Sequence, residues 1–120
     1  MKSKLKSIRP FIGAKDFHLS RQFYQELGFE EIILEKNLSV FKKENSAFYL
    51  QDYDQKYWLE NTMLFVEVEN TDKFYNEILS LKLHEKYENV KLMPIKINEW
   101  GKECFLIDPS GILWHFGEFF

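Results

Sequence analysis

Phe23-Tyr24-Gln25-Glu26 returns in altered form as Phe74-Tyr75-Asn76-Glu77, 74 − 23 = 51 residues further on. Each quartet sits inside a helix-patterned stretch. Asp16 stands where it can cap the first helix, and Asn70-Thr71-Asp72 opens the second. Phe17, Phe23, Tyr24 and Leu27 fall on one broad face of the first, and Phe74, Ile78 and Leu81 mark the buried side of the second. Gly28 is placed to end the first helix in the left-handed conformation. Strand patterns surround both helices. Residues 7–13 suggest a first strand, in which Pro10 lacks an N–H and belongs at an edge, a bulge or a hinge. Glu31–Leu34, Leu38–Lys43 and Ala47–Gln51 follow, with Glu44-Asn45-Ser46 as a turn. After a polar and aromatic connection over 52–60, the pattern restarts with Thr62–Val68, then Ile95–Ile97, Glu103–Ile107 and Leu113–Phe116. Asp108-Pro109-Ser110-Gly111 is a strong turn signal between the last two. Strand, helix and three strands, given twice, predict an α+β fold. We expect a single domain over 1–120, built from two βαβββ modules at about 7–52 and 62–118 that form curved mixed sheets around a cleft.

The chain has 120 residues, enough for one domain with a real core, and its hydrophobic and charged shares are ordinary for a globular protein. Aromatic residues make up 18%, more ring surface than a small core needs, which points to an aromatic-lined cleft or interface as well as an aromatic core. A net charge of −3, with the early lysines and arginines interspersed among apolar residues, gives no general affinity for nucleic acid. One cysteine, Cys104, excludes an internal disulfide and fits a reducing compartment. The basic start is not followed by an apolar run, and no stretch has the roughly 18 apolar residues of a membrane span. A cytoplasmic location is expected.

With the modules in place, the sequence resembles the vicinal-oxygen-chelate superfamily of glyoxalases, extradiol dioxygenases and bleomycin resistance proteins. Asp16, Phe23-Tyr24-x-x-Leu27-Gly28-Phe29 and Asp108-Pro109-x-Gly111 carry the resemblance, which spans essentially the whole chain. Within the superfamily it is most similar to the bleomycin resistance proteins. Arg9-Pro10-Phe11-Ile12 matches their proline-containing first strand, and Glu60-Asn61-Thr62 matches the start of their second half. Trp100-Gly101-Lys102-Glu103 followed by Asp108-Pro109-x-Gly111 is the most specific match.

Superfamily enzymes hold a divalent metal with His and Glu on facing strands, and the ion polarises a substrate oxygen. The resemblance places Arg9, Met63 and His115 at three of those ligand positions. A cation and a thioether are poor ligands, and one histidine does not hold a metal, so no metal and no cofactor are expected. His18 and His84 read as surface residues on or beside the helices. A lone His115 in an apolar strand is either a satisfied interior histidine or a polar group lining the cleft, and we take the second reading. Cys104 lies on the paired strand, so a Cys–His couple remains open, with a buried inert thiol as the simpler reading.

Trp100 sits where the chain turns into a strand, and its indole can either offer a face to a flat ligand or plug one end of the core. In bleomycin resistance proteins the corresponding tryptophan and a phenylalanine sandwich the drug's planar tail. This chain has Leu38 at the phenylalanine's place, which packs on a ring without forming a stacked pair. Gln51 stands at another cleft position, and Glu60 and Glu103 would attract positive charge. Trp58 in the connection either covers the cleft or anchors the loop.

The expected function is non-enzymatic sequestration of a planar or cationic small molecule, of the bleomycin-like antibiotic resistance kind, through Leu38, Gln51, Glu60, Trp100, Glu103 and His115. An orphan metabolite-binding or regulatory module of the same fold ranks close behind, and a metal-dependent lyase, isomerase or dioxygenase well below. A homodimer with exchanged N-terminal strands is expected, because a small open sheet leaves edges that exchange can pair.

Overall fold

A computed structural model describes all 120 residues. Asp16 caps α1 (Phe17–Leu27) by accepting from the Leu19 N–H, and Gly28 at φ 111° closes it. Asn70 does the same for α3 (Thr71–Leu81) through the Lys73 N–H. The strands around α1 are β1 (Phe11–Ala14), β2 (Glu30–Glu35), β3 (Leu38–Lys43) and β4 (Ser46–Asp52). A short helix α2 (Lys56–Glu60) follows, and α4 (Leu83–Lys86) comes after α3. The second module adds β5 (Met63–Glu67), β6 (Lys91–Ile97), β7 (Gly101–Ile107) and β8 (Leu113–Phe119). Each module forms its own four-stranded sheet, in the order β1-β4-β3-β2 and β5-β8-β7-β6. In both, the first strand runs parallel to the last and the other pairs are antiparallel. The α+β class and the two βαβββ modules are as the sequence predicts.

Three local expectations change. The first strand spans only 11–14, and residues 1–10 lie exposed ahead of it. The Pro10 carbonyl accepts from the Tyr49 N–H, but proline returns no N–H, so the ladder stops there. The connection over 52–60 is not all loop: Gln55 caps α2 by accepting from Trp58 N, and Leu59 alone anchors that helix in the core. Strand β6 begins at Lys91 rather than Ile95, carrying Pro94 within a bulge between Met93 and Lys96.

Alternation along the strands decides the faces. Phe48 and Leu50 of β4 and Trp114 and Phe116 of β8 point into one shared core, where the Phe48 and Trp114 rings lie 5.2 Å apart. The Asp-Pro-Ser-Gly turn locks the modules together. Asp108, fully buried, accepts from the Ser110 and Ile112 N–H groups through Oδ1 and from the Tyr24 hydroxyl through Oδ2 at 2.5 Å. Trp114 Nε1 donates to the same hydroxyl, and Lys15 N–H donates to Ser110 Oγ. Tyr24 and Lys15 belong to the first module and the turn to the second, so the motif fastens one to the other. No helix is long and apolar enough to cross a membrane.

Candidate functional site

The faces opposite the shared core are open. On the second sheet, the residues alternating with the core positions are Met63 and Phe65 of β5, Leu113 and His115 of β8, and Glu103 and Phe105 of β7. Register places Phe65, His115 and Phe105 in one row, with the His115 ring 4.9 Å from Phe105 and 6.3 Å from Phe65. Beyond that row Phe65, Trp100 and Phe119 form a triangle of rings whose centroids are 5.2 to 5.9 Å apart. All three remain substantially exposed, at 45%, 39% and 56%. Trp100 therefore stands on the open face and does not plug the core. Phe65 and Phe119 were not singled out from the sequence. Phe65 alternates correctly in its strand, but nothing local brings it to Trp100.

Glu103 and His115 meet beneath the triangle. Glu103 Oε1 is 3.7 Å from His115 Nδ1, which is too long for a hydrogen bond, and His115 Nε2 is buried without a partner. Glu103, expected to attract cations, is only 8% exposed, so long-range steering from that position is small and direct contact is its available role. Trp100, Glu103 and His115 thus share one face. Leu38 and Gln51 share another: they pair across β3 and β4 on the open side of the first sheet, near the stacked Phe11 and Tyr49 rings. No strand of one sheet pairs with a strand of the other, and no hydrogen bond or ring contact links Leu38 or Gln51 to Trp100. Glu60, exposed at the end of α2, faces Lys56 at 3.9 Å.

The same register settles Cys104. It pairs with Phe116 and points into the core, whereas His115 points to the open face, so the two form no catalytic couple. Burial, with Glu103 alongside, pushes the Cys104 thiol up to about 11. The folded chain should therefore take up less than about a tenth of an equivalent of iodoacetamide at about pH 8, and a full equivalent in urea. Mass spectrometry of the two samples checks this.

The superfamily's metal positions carry a poor donor set. Arg9 lies exposed ahead of β1 and Met63 is 64% exposed at the start of β5. Glu103 and His115 are the two donors that approach each other, and nowhere do three His, Cys, Asp or Glu side chains gather as a metal requires. These residues do not fit a resident divalent ion. His18 is exposed, while His84 is half-buried at α4.

No protein-family profile matches the sequence, and no curated protein matches it. Solved structures do. A bleomycin resistance determinant encoded on the transposon Tn5 superposes with a TM-score of 0.81 at 16% identity, covering 93% of this chain and 96% of that one. A bleomycin-binding protein from bleomycin-producing Streptomyces verticillus, complexed with copper(II)-bleomycin, gives 0.81 at 20% identity over 97% of each. A lactoylglutathione lyase from Agrobacterium tumefaciens gives 0.70 at 14% identity over 96% and 95%. The chain therefore has the fold shared by the bleomycin resistance and glyoxalase proteins of the vicinal-oxygen-chelate superfamily, as its motifs imply.

Proposed function

We propose that this chain binds a flat, cationic or amphipathic small molecule on the open face of its second sheet and releases it unchanged. The half-exposed triangle of Phe65, Trp100 and Phe119, with the unpartnered His115 Nε2 below it, carries the reading. Three adjacent rings left in water are unfavourable unless something flat covers them. The partly exposed edge of His115 and the neighbouring Glu103 then set a polar couple beside the rings. The site works without a metal, and Cys104 facing away leaves His115 without a nucleophile to activate. The structural neighbours that bind bleomycin make that drug the first probe. Leu38 favours keeping a cellular metabolite as the alternative ligand. A cytoplasmic setting fits the lone reduced cysteine.

In this reading the working unit is a homodimer with exchanged N-terminal arms. Residues 1–10 include Leu5 and Ile8, at 76% and 85% exposure, and their backbone is paired only at Pro10. β1 and β5 are both edge strands open to a second copy. A partner could also set Leu38 and Gln51 of its first sheet opposite Trp100. Light scattering at micromolar concentration should give twice 14.6 kDa, and removal of residues 1–9 should return the monomer. A monomeric intact chain overturns the dimer.

Intrinsic tryptophan fluorescence, titrated with metal-free and copper-bound bleomycin and with planar cations, tests the binding. Saturation in roughly the micromolar range, on the order of −8 kcal/mol, is expected with at least one probe. Elemental analysis of protein purified without a histidine tag should find less than about one-tenth equivalent of metal per chain. Stoichiometric zinc, nickel or iron near His115, or silence with every planar probe, counts against the proposal.

A further inference from the structure

A second aromatic group stands apart from the triangle. Between the end of β4 and α2, Tyr53, Tyr57 and Trp58 surround an open pocket of about 530 Å³, with Gln51 and Gln55 supplying its polar wall. Tyr53 and Trp58 meet edge to face with centroids 5.5 Å apart. Tyr53 is 54% exposed and Tyr57 76%, although α2 is already anchored by Leu59 at 3%. The outer rings are thus not needed to hold the helix.

Trp58 is held in place. A Cβ on Gly13 would lie 2.7 Å from Trp58 Cζ3 and 2.9 Å from Leu59 Cδ2, so glycine there lets the indole lie directly on β1. The ring is fixed before any ligand arrives. Gln51 makes no side-chain hydrogen bond within the chain, leaving its amide free at the pocket. Residues 52–60 carry Asp52, Asp54 and Glu60 against Lys56, a local charge of 1 − 3 = −2. Exposed ring faces in a negative local field attract organic cations, and cation–π attraction is strongest for tryptophan.

We propose that this corner is a site for an organic cation, a quaternary or primary ammonium group, seated against Trp58 and Tyr57 with Gln51 as hydrogen-bond partner. It uses no residue of the second-sheet face described above and does not depend on the triangle. An apolar ring system without charge would lose the electrostatic part of the attraction, and an anion would be repelled.

The three indole N–H signals of the full-length chain, from Trp58, Trp100 and Trp114, separate the possibilities by NMR. Choline is the probe, and 3,3-dimethylbutan-1-ol, its neutral analogue of the same shape, is the control. Choline should shift the Trp58 signal saturably, with a dissociation constant on the order of millimolar, and the neutral alcohol should bind at least about fivefold more weakly. Trp100 and Trp114 should not move. Tyr57→Ala, at an exposed position that leaves the fold intact, should weaken choline by about three- to tenfold. Trp58→Leu, read on the choline methyl signal by ligand-observed saturation transfer, should lose the saturable binding, with the Trp114 signal reporting an unchanged core. Equal shifts from choline and the alcohol would reduce the corner to an apolar surface and overturn the proposal. So would a shift at Trp100 instead of Trp58, no saturable shift at all, or a Trp58 signal that moves with protein concentration alone, which would assign the corner to a second copy. Of these outcomes only the shift at Trp100 touches the planar-ligand reading, and it would support it by placing a cation on that face.

Discussion

Asp108→Ala should lower the folding stability of this chain by about 3–5 kcal/mol, because it leaves several buried donors without an acceptor at once. Asp108 is fully buried and receives the Tyr24 hydroxyl and the Ser110 and Ile112 N–H groups. Removing it unfastens the Asp-Pro-Ser-Gly turn from the first helix. Asp108→Asn keeps the Oδ1 acceptor but strands the Tyr24 O–H, which also receives Trp114 Nε1, and should cost about 1–3 kcal/mol. The two variants also differ from the parent in pH dependence. Burial, opposed by the hydrogen bonds from Tyr24 and the turn backbone, pushes the Asp108 carboxyl up to about 6 from its ordinary 3.8. The folded chain therefore holds that proton more tightly than the unfolded chain. Its contribution is complete below the ordinary value and is lost as pH rises through about 6. Glu31 has the opposite sign: burial pushes it up, but Arg21 and Ser39 outweigh that and hold it below the usual carboxylate range. Its contribution is lost only as pH falls through that depressed value. Urea unfolding of the parent should thus show on the order of 1 kcal/mol more stability near pH 5 than near pH 7.5 from Asp108, and Asp108→Asn should flatten this difference. An equal slope in both proteins would remove Asp108 from the account.

Trp100→Ala should weaken the binding of a planar ligand about ten- to a hundredfold, or about 1.5–3 kcal/mol, while leaving the fold nearly intact. Its ring packs on Phe65 and Phe119 on the open face and is 39% exposed. Truncation should therefore cost much less stability than the roughly 3–5 kcal/mol of a buried tryptophan. Trp114, 2% exposed between Phe48 and Tyr24, is the internal control: Trp114→Ala should melt far below the parent. Leu38→Phe should tighten planar ligands by adding a second wall, but only where a partner's first sheet faces Trp100. Removing residues 1–9 should cancel that gain and spare the Trp100 effect. A thermal melt and a bleomycin titration of each variant supply the measurements. If Trp100→Ala melts like Trp114→Ala and its residual affinity equals the parent's, Trp100 is core and the binding argument fails.

The repeat around Phe23 and Phe74, the caps Asp16 and Asn70 and the Asp-Pro-Ser-Gly turn were sufficient for the modules, because caps and turns are short-range chemistry that a few neighbouring residues decide. The poor metal donor set was also visible, since it depends on residue types at positions the motifs locate. The site itself was only half legible. Period-two alternation in Leu113–Phe116 announces two faces without saying which one is core, and a slip of one residue would exchange Cys104 and His115. The parallel pairing of β5 with β8 joins Phe65 to His115, 115 − 65 = 50 residues away, and no local signal encodes it. That pairing, with the turn that brings Trp100 beside Phe119, builds the aromatic triangle. The separation of Leu38 and Gln51 from Trp100 onto different sheets is likewise a matter of how two finished modules pack. It follows from the shared core of Phe48, Trp114 and Tyr24, which turns both open faces away from the join.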